Sequence, residues 1–394
     1  MVKKLQQCSP KNKNKTVTCF SMDSLIKIAK TYNKQFPDDK IDISSYNFEV
    51  SRRGKKKKHD PIDYNEDNRI RLWNEIQSKF RGFTPCNEDY CILKSSKVKG
   101  LPIEELEKDF RPEMPETWLG NPQEWLSTVD IQQVMKQYVD DNEDFTFMGP
   151  VPIDFDHKFS FGRCVSNELC KINLDKLYSR GIKRIGIIFN LDPHYKGGSH
   201  WVCLFVDIHK GGIYFIDSTG ASPPKEVEKL MERLQQQGNG LLINKKLLPT
   251  DLERTHTINI DVSPVDRRTV EMRNIPENLV INEGTPCIFT HKELTNQSKF
   301  NKVLKIDGNK ITMSDDLGDN FKKCLIHSFK SFYNKSRFQY QNTECGIYAM
   351  FFLQEFLKGK SYDHIVANKI HDSEMNKRRS EYYRVFVNES GRGR

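Results

Sequence analysis

Apolar residues recur at helical spacing in three stretches of the chain. The first starts at Ser21, a residue type that caps helices, and places four apolar side chains on one face: Leu25, Ile28, Ala29 and Tyr32. Residues 69–80 and 126–138 repeat this pattern, the latter with Ser127 or Thr128 as the cap. Each stretch predicts an amphipathic helix.

Strands are predicted where short apolar runs lie between turn residues. Residues 185–190 form one run, and two further runs, 201–208 and 213–217, are joined by His-Lys-Gly-Gly, whose glycines permit a tight hairpin. A helix is expected from the prolines at 223–224 to about residue 237, where Gly-Asn-Gly follows. Beyond it, β-rich stretches alternate with turns up to about residue 325, before an extended segment and a helix from about Glu344.

These elements predict an α+β chain in six segments. We expect a disordered N-terminus, a helical accessory domain, a core interrupted by a β-rich insertion, and a disordered tail. Their bounds are residues 1–18, 19–115, 116–240 (first half of the core), 241–328 (insertion), 329–388 (second half of the core) and 389–394.

Composition narrows the class of protein. The chain has 394 residues, 37% hydrophobic and 29% charged, and no run of about 18 apolar residues, so we expect no membrane insertion. The basic start has no apolar h-region behind it, which argues against a secretory signal. Ten cysteines without a C-x-x-C pair predict neither a disulfide scaffold nor a zinc site, and indicate free thiols in a reducing compartment.

Part of the net charge of +9 is concentrated in one loop. Six of seven consecutive residues are cations: Arg52, Arg53, Lys55, Lys56, Lys57 and Lys58. A solvated loop is the plainer interpretation, and a contact with nucleic acid through its phosphates, or a localisation signal, are the functional ones. Because no aromatic residues interleave with the cations, a stacking platform for single strands is not supported.

Candidate chemistry lies in three separated motifs. Gly-Gly-Ser-His200-Trp opens a predicted strand, Tyr-Phe-Ile-Asp217-Ser ends the next strand, and Thr-Glu-Cys345-Gly opens a predicted helix. Because the two strands form one hairpin, His200 and Asp217 lie toward the same end of it. There the carboxylate can hold the imidazole in one tautomer and stabilise its protonated form.

Cys345 is the candidate nucleophile. The free N–H groups of a first helical turn and a neighbouring imidazolium both favour a thiolate, whereas the adjacent Glu344 opposes it. Gly346 leaves room for a substrate carbonyl to approach. The backbone N–H of Cys345 and an upstream side-chain amide can hold the oxyanion, with Gln339 as the first choice for that amide and Gln341 as its rival.

Other residues are weaker candidates. Cys203 lies in the middle of a strand, where a thiol is packed, and the neighbours of His194 suggest no partner for it. No His-Glu-x-x-His pattern supports a hydrolytic metal site. We therefore expect neither a metal nor a cofactor.

The motifs resemble those of the SUMO-specific and adenovirus proteases. The matching segments are GGSHWVCLFVDI, IYFIDSTG and QYQNTECGIYAMFF, together with the Trp-Leu start of that fold at residues 124–128. DPHYKGGSHW, NTECG and a late stretch from Ile370 to Arg384 are similar to the viral branch, the core-protein-processing proteases of asfarviruses, poxviruses and mimiviruses.

This resemblance implies a papain-like cysteine peptidase core and a role for each matched residue. It makes Cys345 the nucleophile, His200 the base, Asp217 the orienting acid and Gln339 the oxyanion donor, with Trp125 and Trp201 walling a tunnel that accepts only glycines. It implies cleavage at Gly-Gly-x sites of viral structural precursors, in the host cytoplasm and the virion core.

Alternative functions stay open on the sequence. The same site suits an isopeptidase that removes ubiquitin-like modifiers, and its triad also occurs in an acetyl-transferring enzyme. A non-enzymatic alternative is a basic DNA-binding or core-binding virion protein, and in a combined version DNA binds the basic loop and activates a protease. The sequence does not indicate the oligomeric state or the role of the insertion.

Overall fold

A computed structural model describes residues 7–12, 17–44, 66–244, 246–247, 257–275, 281, 283–291, 298–318 and 321–387. The chain divides into two compact units. Unit 1 comprises Met1–Glu124, Gln133–Asp141 and Asn376–Arg394, and unit 2 comprises Trp125–Gln132 and Asn142–Met375. The boundary expected near residue 115 therefore falls inside unit 1, which also takes in residues from the C-terminal end of the chain.

The helices of the described residues run in the following order: α1 (Met22–Gln35), α2 (Glu66–Phe80), α3 (Ile103–Leu106), α4 (Thr128–Asp141), α5 (Asn167–Cys170), α6 (Leu174–Ser179), α7 (Lys225–Ile243), α8 (Cys345–Leu357), α9 (Tyr362–Ala367), α10 (Asp372–Lys377) and α11 (Arg379–Tyr382). Short 3-10 turns cover Pro10–Asn12, Asp89–Lys94, Glu107–Asp109 and Glu116–Leu119. Within the described ranges, no helix is both long and apolar enough to cross a membrane.

The three helices predicted from apolar spacing are present. Ser21 caps α1, where its Oγ accepts the N–H of Ser24 at 3.1 Å, and the predicted apolar face of this helix is buried. Helix α4 starts at Thr128, and the Oγ of Ser127 accepts the N–H of Asp130 at 3.3 Å. Helix α2 starts three residues before the predicted first residue.

The N-terminal segment departs from its prediction. Residues 7–12 and 17–18, expected to be disordered, are folded in unit 1. Cys8 is buried and forms an isolated β-bridge with Phe110, and the Nδ2 of Asn12 donates to Asp109 Oδ1 at 2.7 Å. The sequence pattern did not reveal these contacts, because they rest on a backbone bridge and one side-chain amide rather than on a hydrophobic face.

The expectation of free thiols is also wrong for six of the ten cysteines. Disulfides join Cys8 to Cys19, Cys86 to Cys91, and Cys164 to Cys170. These pairs are separated by only 5 to 11 residues, so no long-range cysteine pattern signalled them. The free cysteines are buried, and they are Cys203, Cys287, Cys324 and Cys345.

Unit 2 contains a mixed sheet of six strands in the order β1-β3-β4-β5-β12, with β2 also paired to β3. The strands are β1 (Phe145–Phe147), β2 (Val151–Pro152), β3 (Arg184–Asn190), β4 (Trp201–Asp207), β5 (Gly212–Ile216) and β12 (Lys330–Tyr333). The hairpin of β4 and β5 is antiparallel, as its glycine-containing turn predicts, and β12 adds to β5 in parallel.

Both faces of this sheet are covered, which explains why its strands are apolar without alternation. On one face, Val202, Leu204 and Val206 of β4 belong to the same buried cluster as the apolar residues of α7. On the other face, Phe205 of β4 stacks on Phe356 of α8, with ring centroids 4.6 Å apart. The sheet thereby holds α8 against the strand that follows His200.

The prediction that helix α7 stops at Gly238 is wrong, because α7 continues to Ile243. A Cβ at Gly238 would lie 2.3 Å from the Phe329 ring, so this glycine provides room for that ring rather than a helix stop. The Oδ1 of Asn239 accepts the N–H of Phe329 at 2.8 Å, and the Nε2 of Gln235 donates to its carbonyl at 2.6 Å. Tertiary packing thus overrides the helix-breaking tendency of Gly-Asn-Gly.

The predicted β-rich insertion is a closed antiparallel barrel in the order β10-β7-β6-β11-β8-β9. Its strands are β6 (Thr257–Pro264), β7 (Thr269–Arg273), β8 (Pro286–His291), β9 (Ser298–Asp307), β10 (Lys310–Met313) and β11 (Phe321–His327). Alternate residues of these strands, among them Ile260, Phe289 and Ile326, fill the interior. Closure removes free strand edges, which sequence patterning did not predict because it does not fix which strands pair.

Candidate active site

His200 and Asp217 meet at one end of the β4–β5 hairpin. His200 immediately precedes β4, and Asp217 immediately follows β5, whose Ile216 pairs with Cys203. The Nε2 of His200 lies 2.8 Å from the Oδ1 of Asp217, with 19% of the histidine side chain and 3% of the aspartate side chain exposed. The contact expected from the hairpin is therefore present.

Other groups fix the Asp217 carboxylate. Its Oδ1 also accepts the N–H of Thr219 at 2.7 Å and the hydroxyl of Thr219 at 2.9 Å. The buried Asn334 clamps the backbone, since its Oδ1 accepts the N–H of Asp217 at 2.9 Å and its Nδ2 donates to the Asp217 carbonyl at 2.7 Å. A carboxylate held in this way can fix the orientation of the imidazole.

Cys345 is the first residue of α8 and is 3% exposed. The preceding Glu344 makes no side-chain cap hydrogen bond to the helix. Cys345 therefore lies in the first turn of α8, and the Glu344 carboxylate does not cap the N–H groups of that turn.

His200 interacts with the side chains of both Asp217 and Cys345, and thereby relates the hairpin to this helix tip. Because its Nε2 is engaged with Asp217, Nδ1 is the ring nitrogen that remains for the sulfur. Burial by itself lowers the pKa of His200, but the hydrogen bonds to Asp217 and Cys345, and the charges of both, raise the pKa of His200 to about 9. The raised pKa of His200 favours the protonated ring, which can donate a proton during catalysis.

Gln339, the predicted oxyanion donor, is buried close to the residue that follows Asp217. Its Oε1 accepts the hydroxyl of Ser218 at 2.6 Å, and its Nε2 donates to the Gln341 carbonyl at 2.5 Å. The side chain of Gln341 itself is exposed. Of the two candidate amides, the one with a fixed orientation is thus that of Gln339.

Proteins with similar sequences are named as thiol or cysteine proteases, which agrees with the arrangement of Cys345, His200 and Asp217. A protein of Acanthamoeba polyphaga mimivirus named as a thiol protease is 28% identical over 384 residues, which cover 96% of this chain and 93% of that protein. The African swine fever virus protein named SUMO-1 cysteine protease is 22% identical over 315 residues, which cover 76% of this chain and 84% of that protein. No protein-family model matches the chain.

The fold agrees as well. The crystal structure of the African swine fever virus protease covers 96% of both chains with a TM-score of 0.51 at 17% identity. The chain is a cysteine-type peptidase, similar over most of its length to proteins of these two viruses that are named as proteases. The α+β fold class predicted from the pattern of helices and strands is confirmed.

Leu126 links the tryptophans of the protease to its helix tip. The indole N–H of the buried Trp201 donates to the Leu126 carbonyl at 3.0 Å. A Cβ at Gly346 would lie 2.9 Å from the Leu126 side chain, so only glycine fits there without a shift. Trp125, which precedes Leu126, is 45% exposed. One predicted wall residue is thus buried and the other half-exposed.

The structure also shows the surroundings of two weaker site candidates of the protease, Cys203 and His194. Burial raises the pKa of the Cys203 thiol well above its usual range, as expected for a packed cysteine in mid-strand. The sequence suggested no partner for His194, but its Nδ1 lies 2.6 Å from the Oδ2 of Asp154. The basic loop, residues 52–58, lies outside the described residues.

Sequence reasoning missed three residues that hold the site of the protease together. Asn334 clamps Asp217, Ser218 bonds Gln339, and the carboxylate of Asp372 accepts the N–H groups of the two residues after Gln339, at 2.8 and 2.9 Å. Ser218 and Asp372 stand inside the motifs that carry the resemblance, so a signal existed for them. No sequence signal marked Asn334.

Proposed function

We propose that this protease is an endopeptidase that cleaves after Gly-Gly in viral structural precursors, with Cys345 as nucleophile and His200 as its acid-base partner. The observation that carries the proposal is that His200 bonds Asp217 at 2.8 Å and also interacts with the side chain of Cys345, the first residue of α8. Nucleophile, base and orienting acid within hydrogen-bond reach are the signature of covalent acyl transfer.

The reaction uses the ion pair at the helix tip. The Cys345 thiolate forms a bond to the substrate carbonyl carbon, and the carbonyl π electrons move onto oxygen, where the second N–H of Gln339 Nε2 and the Cys345 N–H donate to it. As the carbon–nitrogen bond breaks, the Nδ1 proton of His200 moves to the leaving amine, which leaves a thioester. Water then gives a proton to Nδ1 and its oxygen attacks the thioester, so that acid is released and the thiolate returns.

The surroundings of Cys345 support selection for glycine. Leu126 packs against Gly346 beside the nucleophile, Trp201 holds the Leu126 carbonyl, and Trp125 presents an exposed indole next to it. The residue after the nucleophile is thus packed so closely against Leu126 that it has no room for a side chain of its own. Residues without side chains before the scissile bond fit such close packing best.

A peptide assay tests the proposal. The full-length chain and its Cys345→Ala and His200→Ala variants are incubated with matched peptides that carry Gly-Gly-x, Gly-Ala-x or Ala-Ala-x. His364→Ala, an exposed histidine of α9, is the control. We expect both site variants to lose essentially all turnover, because nucleophile and base act as one unit, and the control to keep it. Turnover that survives in Cys345→Ala would overturn the mechanism, and equal cleavage of Ala-Ala-x would overturn the specificity.

A second candidate function is removal of a ubiquitin-like modifier, favoured by the name SUMO-1 cysteine protease of the swine fever virus relative. The chemistry at Cys345 is the same, so only the substrate separates the two. Rapid processing of a folded SUMO fusion together with no cleavage of Gly-Gly-x peptides would favour the isopeptidase. The reverse pattern would favour precursor processing.

A further inference from the structure

Ser218 occupies a buried position between two parts of the site. It follows Asp217 directly, is 3% exposed, and donates its hydroxyl hydrogen to Gln339 Oε1 at 2.6 Å. Its backbone carbonyl accepts the N–H of both Phe338 and Gln339 at 2.8 Å. One residue of the hairpin thus holds both the main chain and the side chain of the glutamine.

The partners of the Gln339 amide determine which way the amide faces. A backbone carbonyl can only accept a hydrogen bond, so the atom 2.5 Å from the Gln341 carbonyl must be Nε2. The other end of the amide is then Oε1, and the group beside it must donate, which the Ser218 hydroxyl does. One N–H of Nε2 is engaged by Gln341, which leaves the second for a substrate oxygen.

The other end of this row is fixed independently. The carboxylate of Asp372 accepts the N–H of Tyr340 at 2.8 Å and that of Gln341 at 2.9 Å, and it also accepts the Tyr348 hydroxyl at 3.1 Å. Asp372 is buried, and Tyr348 lies in α8, one turn after Cys345. The Gln341 carbonyl therefore keeps its place relative to the helix that carries the sulfur.

We propose that Ser218 is a positioning residue for the oxyanion donor, which keeps the amide of Gln339 from rotating its oxygen toward the substrate. The inference rests on the proposed peptidase function of Gln339. Removal of the hydroxyl leaves Oε1 buried without its donor, so an amide rotated by half a turn competes with the productive one. In the rotated state an acceptor faces the developing negative charge.

A double-mutant cycle tests the coupling. The full-length chain, Ser218→Ala, Gln339→Ala and the double variant are assayed with a peptide that ends in Gly-Gly-aminomethylcoumarin. We expect Ser218→Ala to lower kcat about tenfold with little change in KM, and Gln339→Ala to lower kcat by roughly 100-fold or more. Because Ser218 acts through Gln339, adding Ser218→Ala to Gln339→Ala should change kcat less than about twofold. Independent, multiplying losses would overturn the proposal.

Alkylation of Cys345 by iodoacetamide separates this role from general damage to the site. Alkylation forms no oxyanion, so its rate and pH profile should be the same in Ser218→Ala and wild type, and Ser218→Thr, which keeps a hydroxyl, should recover kcat. A shifted alkylation profile would mean that Ser218 acts on Asp217 instead, and would overturn the inference. If the wild type cleaves other peptides but not the Gly-Gly probe, the proposed specificity fails, whereas the Ser218–Gln339 coupling is still decided on those peptides.

Discussion

Removing the charge of Asp217 is the most direct way to change the pKa of His200. Its Oδ1 accepts from His200 Nε2 at 2.8 Å, and the pKa of His200 stands at about 9 rather than 6.5. At about 1.4 kcal/mol per pKa unit, the net preference for the charged ring is about 3 kcal/mol, shared between Asp217 and Cys345 after the opposing effect of burial. Asp217→Asn keeps the shape of the side chain and removes its charge.

The neighbours of Asp217 make this substitution informative. Thr219 donates both its N–H and its hydroxyl to Oδ1, so the asparagine oxygen should stay at that position and still accept from the imidazole. The hydrogen bond would then survive while the coulombic contribution is lost. We expect the pKa of His200 to fall by roughly one to two units.

The pH profile of kcat/KM measures this shift. Because the raised pKa of His200 means that Nδ1 holds its proton below about pH 9 and loses it above, the alkaline limb of the wild type should fall near pH 9. In Asp217→Asn the alkaline limb should move to lower pH, and iodoacetamide alkylation should show the same displacement.

Two results would refute this reasoning. An alkaline limb that stays near pH 9 in Asp217→Asn would show that the carboxylate does not sustain the imidazolium. A wild-type limb near pH 6.5 would show that the ion pair itself does not form.

Three further predictions concern packing, positioning and the basic loop. Gly238→Ala should destabilise the chain by about 1–3 kcal/mol, because its Cβ would meet Phe329 at 2.3 Å. Gly240→Ala in the same helix has open space around its Cβ and should be neutral or stabilising. The Tm values of the two variants measure this difference, and equal shifts would contradict the prediction. Asn334→Ala removes both bonds to the Asp217 backbone and should lower kcat about tenfold or more with little effect on KM, while exposed Asn368→Ala should not. Neutralising the cations of residues 52–58 should abolish any stimulation of peptide cleavage by DNA and flatten its dependence on salt, and unchanged stimulation would exclude this loop as the contact.

Local patterns predicted the elements that carry the site, because a helix start and a tight hairpin are each recognisable within a short stretch of sequence. The glycine-containing hairpin between β4 and β5 predicted that His200 and Asp217 lie toward the same end of it, whereas the register that brings them into contact was not fixed by the sequence. The start of α8 was also predicted to within one residue. The pattern did not fix the distance between the start of α8 and the hairpin. The proximity of Cys345 to His200 was inferred only from the three motifs taken together.

The errors share a physical cause. Gly238 suggested a helix end by its propensity, but propensity is weak compared with the packing of a phenylalanine ring on the helix. Cys8 suggested a free thiol in a polar tail, although it forms a disulfide with Cys19 and its β-bridge pairs it with Phe110, far along the chain. Contacts between distant segments, made by single polar atoms or sulfurs, leave no periodic trace in the sequence.

The barrel poses the hardest case, since it separates Asp217 from Cys345 along the chain. The helix that precedes the insertion contacts the residue where the chain rejoins the core, because Gln235 and Asn239 of α7 bond the carbonyl and the N–H of Phe329 at 2.6 and 2.8 Å. The cost of closing a loop grows only with the logarithm of its length, so these two bonds, with the β12–β5 pairing that follows them, can restore the chain to the sheet. From Phe329 onward, the path to Cys345 depends on contacts with the hairpin rather than on the insertion, which is why the cysteine can reach the histidine across so long an interruption.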